Sequence, residues 1–230
     1  METSLHRELK KRYAAGQAQT EVRVGSYRSD VVRGKELIEI QHGSLAAIRD
    51  KVRRLLADHR VLIVKPLVVR KTLIKQDAKD GAVCSRRISP KRGTLVDLFD
   101  ELVHFTRVFP HPRLALEVVL VEIEEWRYPG HGRRRWWRRN DQVVADQKLV
   151  SVGAIQRLRT AADLVKLLPA PLPSRFHTGQ LAESLDISRR VAQRVAYCLR
   201  EMGAVKSVGK QGNAFVYQWP APGRAKKRAA

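Results

Sequence analysis

The sequence predicts an α/β protein, a mixed sheet built in the order α-β-β-β-α-β, followed by a small α+β domain. Three observations predict it. Apolar periodicity changes from helical to alternating near residue 20, three short strand patterns then follow in succession, and an amphipathic helix leads into the uninterrupted apolar run Val61-Leu62-Ile63-Val64. A strand, a crossover helix and a fully apolar strand form a βαβ unit, so the third and fourth strands are expected to be parallel and central.

In order, residues 3 to 14 can form a helix with Leu5, Leu9 and Tyr13 along one side and Glu8 at the edge of that stripe. Glu21-Val22-Arg23-Val24 alternates like a half-buried strand. Asp30-Val31-Val32 begins a second strand, and Glu36 to Gln41 reads as a third, ended by His42-Gly43. Ser44 is an N-cap for a helix to about Ala57, with Leu45, Ile48, Val52, Leu55 and Leu56 on one face. Residues 65 to 110 are less regular: a hairpin around Asp80-Gly81, a basic loop through Arg86, Arg87, Lys91 and Arg92, and a short helix from about Leu95 to Thr106. Leu114 to Trp126 is expected as one more long strand, and residues 163 to 168 as a short helix stopped by prolines. The expected division is a first domain over 1–150 that includes a basic connector, a second over 151–222, and a disordered basic tail over 223–230.

Charge narrows the partners. The 230-residue chain has 45 Lys and Arg against 23 Asp and Glu, a formal net charge of +22, and its isoelectric point lies near 10.8. Such a balance points to a polyanion, with nucleic acid first. An anionic membrane is disfavoured because no run of about 18 apolar residues exists and the basic residues are spread over both halves. A cytoplasmic, nucleoid-associated protein is the expectation. Cys84 and Cys198 are far apart with no Cys or His at metal-ligand spacing, so both read as reduced thiols and a structural zinc is not expected. No Gly-rich loop ending in Lys-Ser or Lys-Thr is present, and no small-molecule ligand is evident.

The candidate chemistry lies on the second and third strands. Gly34-Lys35 suits a two-residue type II′ turn pairing Arg33 with Glu36, which by counting back places Asp30 opposite Glu39 on one sheet face, about 5 Å apart. Gln41 shares that face by alternation, whereas Ile38 and Ile40 point to the other. Two facing carboxylates repel unless a cation or proton sits between them, and a divalent metal answers that need. The order Glu8, Asp30, Glu39-Ile40-Gln41 on this scaffold resembles the PD-(D/E)XK nuclease superfamily, the restriction-endonuclease-like fold, in the variant whose final Lys is Gln; Ser29 stands where that family has Pro. The resemblance covers residues 3 to 70. It implies that Asp30 and Glu39 bind Mg²⁺ or Mn²⁺, that Gln41 helps place the attacking water, that Glu8 assists the metal, and that the activity is hydrolysis of DNA phosphodiester bonds. The alternatives are surface charges on a solvated hairpin and a retained fold without cleavage. Glu122, Glu124 and Glu125 form a second acidic cluster, read as solvated edge charges.

Two basic segments are candidates for contacting DNA. Arg133, Arg134, Arg135, Trp136, Trp137, Arg138 and Arg139 place five cations around two indoles, which reads equally as a DNA clamp or as a basic loop anchored by its tryptophans. Further on, a short helix to Leu185, the turn Asp186-Ile187, and a Ser188-capped helix to about Met202 have helix-turn-helix spacing. Arg189, Arg190, Gln193, Arg194, Tyr197 and Arg200 occupy the arc opposite its apolar stripe, the residue types that read base edges and phosphates in a major groove. A hairpin with Lys210 at its Gly-rich tip follows, and residues 175 to 219 as a whole resemble the winged-helix family. That resemblance implies duplex DNA as partner. Winged helices that bind proteins are the alternative, and RNA is disfavoured because the A-form major groove is too narrow and deep to read.

Overall fold

The computed structural model describes residues 2–16, 18–130, 142–169 and 172–220. The chain is a mixed α/β protein with two compact units, one of residues 1–94 and 113–157, the other of residues 95–112 and 158–230.

In the first unit, helix α1 (Ser4–Tyr13) is started by the Thr3 side chain, which accepts from the His6 backbone N–H. Strands β1 (Gln19–Val24), β2 (Tyr27–Arg33) and β3 (Glu36–Ile40) follow as an antiparallel meander. The β2–β3 turn has the expected register, with Arg33 paired to Glu36. Gly34 adopts φ 59° while Lys35 stays at negative φ, the combination a type II′ turn requires. Ser44 caps the next helical segment as expected, but the segment opens as a 3₁₀ turn over Leu45–Ile48 before α2 (Arg49–Leu55).

The crossover then delivers β4 (Arg60–Gln76) parallel to β3, from Glu36 beside Arg60 to Ile40 beside Val64. Strand β5 (Val83–Ile88) folds back on the far end of the same β4 edge, through a turn at residues 77–82. Strand β6 (Leu114–Pro129) runs parallel along the other edge, and β7 (Gln142–Leu158) lies beyond it. The sheet order is β1-β2-β3-β4-β6-β7. One face packs Ile38, Ile40, Leu62, Val64, Val119 and Val121 under Leu5 and Leu9 of α1. Alternation therefore turns Glu39 to the opposite face, the face α2 reaches with Lys51.

The second unit begins with a 3₁₀ turn and helix α3 (Leu98–Leu102), which buries Leu98, Phe99 and Leu102. Residues 158–220 add a 3₁₀ segment (Ala161–Leu167), β8 (Arg175–His177), α4 (Thr178–Leu185), α5 (Arg189–Glu201), β9 (Lys206–Gln211) and β10 (Ala214–Gln218). The three strands pair antiparallel in the order β8-β10-β9. His177 and Ser188 cap α4 and α5, and Asp186 makes the turn between them at φ 50°.

The division differs from the expected break at residue 150. Strand β7 is hydrogen-bonded into the large sheet up to the boundary, so residues 142–157 belong with the first unit. Residues 95–112, expected inside the first domain, pack instead on α5: the Phe99 carbonyl accepts from Cys198 Sγ at 3.7 Å, and Asp100 pairs with Arg194. The acidic run on β6 is also corrected. Since β6 is an interior strand, Glu125 is buried, and Lys71 and Gln147 each reach it at 2.9 Å beside Arg127; Glu124 pairs with Arg86.

Candidate functional site

The β2–β3 ladder stops at Val31 and Ile38, one pair before Asp30 and Glu39. Beyond that point the strands separate, and the two acidic residues flank the opening. Asp30 does not complete the ladder; its Oδ2 accepts from the Ile40 backbone N–H at 2.8 Å, and Ser29 Oγ donates to the Ile38 carbonyl. From α2, the Lys51 ammonium enters the opening and donates to Glu39 Oε2 and to the Arg28 carbonyl, each at 2.5 Å. From α1, His6 Nε2 lies 3.4 Å from Asp30 Oδ1 and 3.5 Å from Glu2.

Glu39 is 3% exposed, its carboxyl lies near the Ser29 hydroxyl, and its Oε1 is buried with no hydrogen-bond partner among the described residues. An unsatisfied buried carboxylate oxygen is costly, so it marks a place where a proton or cation belongs. Burial pushes the Glu39 carboxyl up; the Lys51 ammonium opposes that rise and the nearby Asp30 charge adds to it, leaving the group above its ordinary value. Asp30 ends on the other side: burial raises it, but His6, the Ile40 N–H and Lys51 outweigh burial and hold it below the usual range. The surroundings thus push the two carboxyls apart, Glu39 upward and Asp30 downward.

A pH prediction follows. Folded Glu39 keeps its proton to higher pH than the unfolded chain, whose value is near 4.5. Its contribution to stability is therefore full below that value and is lost as pH rises through the raised one. Across a series from pH 4.5 upward, the native protein is expected to lose Tm relative to Glu39→Gln. A Tm difference that stays constant across this range would show that Glu39 titrates as an ordinary surface carboxylate.

Of the four residues expected to act together, Asp30 and Glu39 are brought to one opening. Glu8 is not: it is exposed on α1, on a different side from the position facing Asp30, which His6 occupies. Gln41 follows β3, but its Nε2 donates to the Ser44 carbonyl at 2.8 Å, while Lys51 has the direct contact with Glu39. Among the described residues no three or more His, Cys, Asp or Glu side chains converge to hold a metal ion.

His6 and Lys51 escaped the sequence reading. A signal existed for His6, because Glu2, His6 and Lys10 are four apart and form a line beside buried Leu5 and Leu9. Lys51 had none, being one cation among several on a basic helix.

In the second unit, Arg189, Arg190, Gln193 and Tyr197 of α5 are exposed, and so is Lys210 at the tip of the β9–β10 hairpin. Arg194 is drawn to Asp100 of α3, which takes it from the expected free arc. Cys198 faces inward, and burial pushes its thiol up to about 12, as an inert core residue requires. Arg133, Arg134, Arg135, Trp136, Trp137, Arg138 and Arg139 lie outside the described residues, as does the basic tail. No helix among the described residues is long and apolar enough to cross a membrane.

These features define a basic, mixed α/β protein with an acidic opening at a sheet fork in one unit and two helices joined by a tight turn, followed by a hairpin, in the other. Residues 3–159 match the family model described as "Domain of unknown function (DUF8091)", and the chain belongs to that family. It is also similar to an uncharacterized protein of Treponema pallidum (strain Nichols), 28% identical over 225 residues that cover 96% of this chain and 87% of the relative. No solved structure matches.

Proposed function

We propose that the protein binds duplex DNA through α5 and the β9–β10 hairpin, acting as a winged helix, and hydrolyses DNA phosphodiester bonds at Asp30 and Glu39 in a PD-(D/E)XK-type first unit. The observation that carries the catalytic part is the buried, unpartnered Glu39 Oε1 beside Asp30 at the sheet fork.

Two carboxylates with an open oxygen fit Mg²⁺ or Mn²⁺, since Mg²⁺ is commonly held by one or two carboxylates, with water and substrate phosphates completing its shell. Asp30 and Glu39 would hold the ion; Glu8 is excluded by its position. Held there, such an ion would supply Lewis-acid polarisation of a phosphate oxygen and a lowered pKa for an attacking water. Lys51 contributes a fixed positive charge beside Glu39, suited to stabilising the negative charge that grows on a phosphate under attack. Asp30, held ionised, keeps His6 oriented at the rim of the opening. Net charge and the cationic face of α5 serve to concentrate and seat the polyanion.

The test is incubation of the protein with supercoiled, linear, branched and single-stranded DNA in Mg²⁺, Mn²⁺ or EDTA, beside Asp30→Asn and Glu39→Gln variants shown to be folded. Cleavage is expected with either metal, absent in EDTA and reduced by at least about a hundredfold in both variants. A specific observation favours a second reading: Lys51 already supplies a cation to Glu39. If no DNA is cut while all three proteins bind it equally, the fork is a structural ion pair and the protein is a non-catalytic DNA-binding factor.

A further inference from the structure

Beside the exposed arc of α5, the second unit carries a cleft of about 260 Å³ between α5 and the β9–β10 hairpin, lined by Thr178, Gln193, Tyr197, Arg200, Asn213 and Phe215, with Tyr217 and Ala214 completing it. Two of its walls are aromatic rings left open to solvent: Tyr197 is 38% exposed and Phe215 is 44% exposed. Each carries a cation, with the Arg200 guanidinium 5.8 Å from the Tyr197 ring centroid and Lys210 Nζ 5.0 Å from that of Phe215. The polar lining includes the amides of Gln193 and Asn213 and the hydroxyl of Thr178, and among the described residues no carboxylate lines the cleft.

We infer that this cleft receives one unpaired nucleobase of the bound DNA, an inference that rests on the DNA-binding reading. Exposed aromatic faces match the π-face of a base, and Lys210 matches a phosphate beside it, whereas Arg200 is held by Glu201 at 2.6 Å. The amides supply donors and acceptors for the edge that base pairing would otherwise occupy. A base inside an intact duplex has both faces covered by its neighbours, so only an extrahelical or unpaired base can use these rings. The cleft is smaller than the about 300–1,000 Å³ typical of pockets for drug-sized ligands, which suits a single heterocycle. The substrate is accordingly duplex DNA with an unpaired base, and the cleft discriminates it from perfectly paired DNA.

The experiment uses the full chain in EDTA, with a fully paired duplex and the same duplex carrying one extrahelical 2-aminopurine. Affinity is read by anisotropy of an end label and base stacking by 2-aminopurine fluorescence. The bulged duplex is expected to bind about tenfold more tightly and its fluorescence to be quenched on binding. Phe215→Leu is expected to abolish both the preference and the quenching, and Phe215→Trp to retain them. Equal affinity for the two duplexes without quenching overturns the inference and leaves the DNA-binding reading standing. A preference that survives in Phe215→Leu assigns the discrimination to another surface and overturns it as well. Failure to bind either duplex overturns the DNA-binding reading itself.

Discussion

Lys51→Met is expected to destabilise the first unit by about 3 kcal/mol and to abolish any metal-dependent cleavage. The stability loss follows from what the substitution leaves behind. Glu39 is 4% exposed at its side chain, one of its oxygens has no partner among the described residues, and the Lys51 ammonium is the cation on the other. Removing one member of a buried ion pair strands the second charge in a poor solvent, which costs about 3–5 kcal/mol. The low end applies because Lys51 keeps 19% of its side chain exposed, so water enters the opening when the ammonium goes. Methionine preserves most of the aliphatic stem and isolates the charge from the packing.

The double variant Lys51→Met/Glu39→Gln separates the two effects. With neither charge present, most of the lost stability is expected to return, because an uncharged pair no longer has to be desolvated. Cleavage should remain absent, since neither the proposed metal ligand nor the fixed cation is restored. Urea unfolding of the native protein, both single variants and the double variant reads the coupling directly. A Lys51→Met cost below about 0.5 kcal/mol would show that the pair is a solvated surface contact.

This centre was half legible in the sequence because the two halves obey different rules. Strand alternation and a two-residue turn are local, so the register of Arg33 against Glu36, and with it the neighbourhood of Asp30 and Glu39, followed from counting. What counting could not show is that the ladder stops at Val31 and Ile38, because a fork depends on where α2 sends Lys51 and where the Asp30 side chain finds a donor. Glu8 failed for a related reason. A helical wheel orders the residues of α1 around its axis, but its rotation is decided by how Leu5 and Leu9 seat on the sheet, and that rotation presents His6.

The same contrast runs through the fold. The crossover from β3 to β4 was readable because Val61-Leu62-Ile63-Val64 is apolar on both faces, as a central parallel strand must be. Strand β7 was not readable: Gln142–Leu158 is half-exposed or exposed except at Leu158, carries no strong alternation, and is a strand because β6 offers it an edge. Strand β8 is three residues long and owes its assignment to β10. In the second unit, by contrast, caps are written locally. Ser188 before Arg189, and Asp186 at the left-handed turn, located the end of α4 and the start of α5 to within a residue or two.

Phe99→Ala is expected to cost the second unit about 3–5 kcal/mol, the usual range for deleting a buried aromatic side chain. Phe99 is fully buried, its helix is only five residues long, and its carbonyl and the adjacent Asp100 both engage α5. So short a helix has no independent stability, and its order derives from that packing. Losing the ring should therefore loosen α5 as well as α3. The effect also decides which unit residues 95–112 serve. Hydrogen exchange on the full chain is expected to show faster exchange at the Val195–Leu199 amides of α5 in the variant, while Val31, Ile38 and Val64 of the large sheet keep their protection. The opposite pattern, with the sheet amides exposed and α5 unchanged, would return this segment to the first unit, where the order of elements along the chain had placed it. Local sequence order makes neighbours of residues 95–112 and the strands on either side. Burial of Phe99, Phe105 and Phe109 makes them part of a core that the chain completes only after it has left the sheet for the last time.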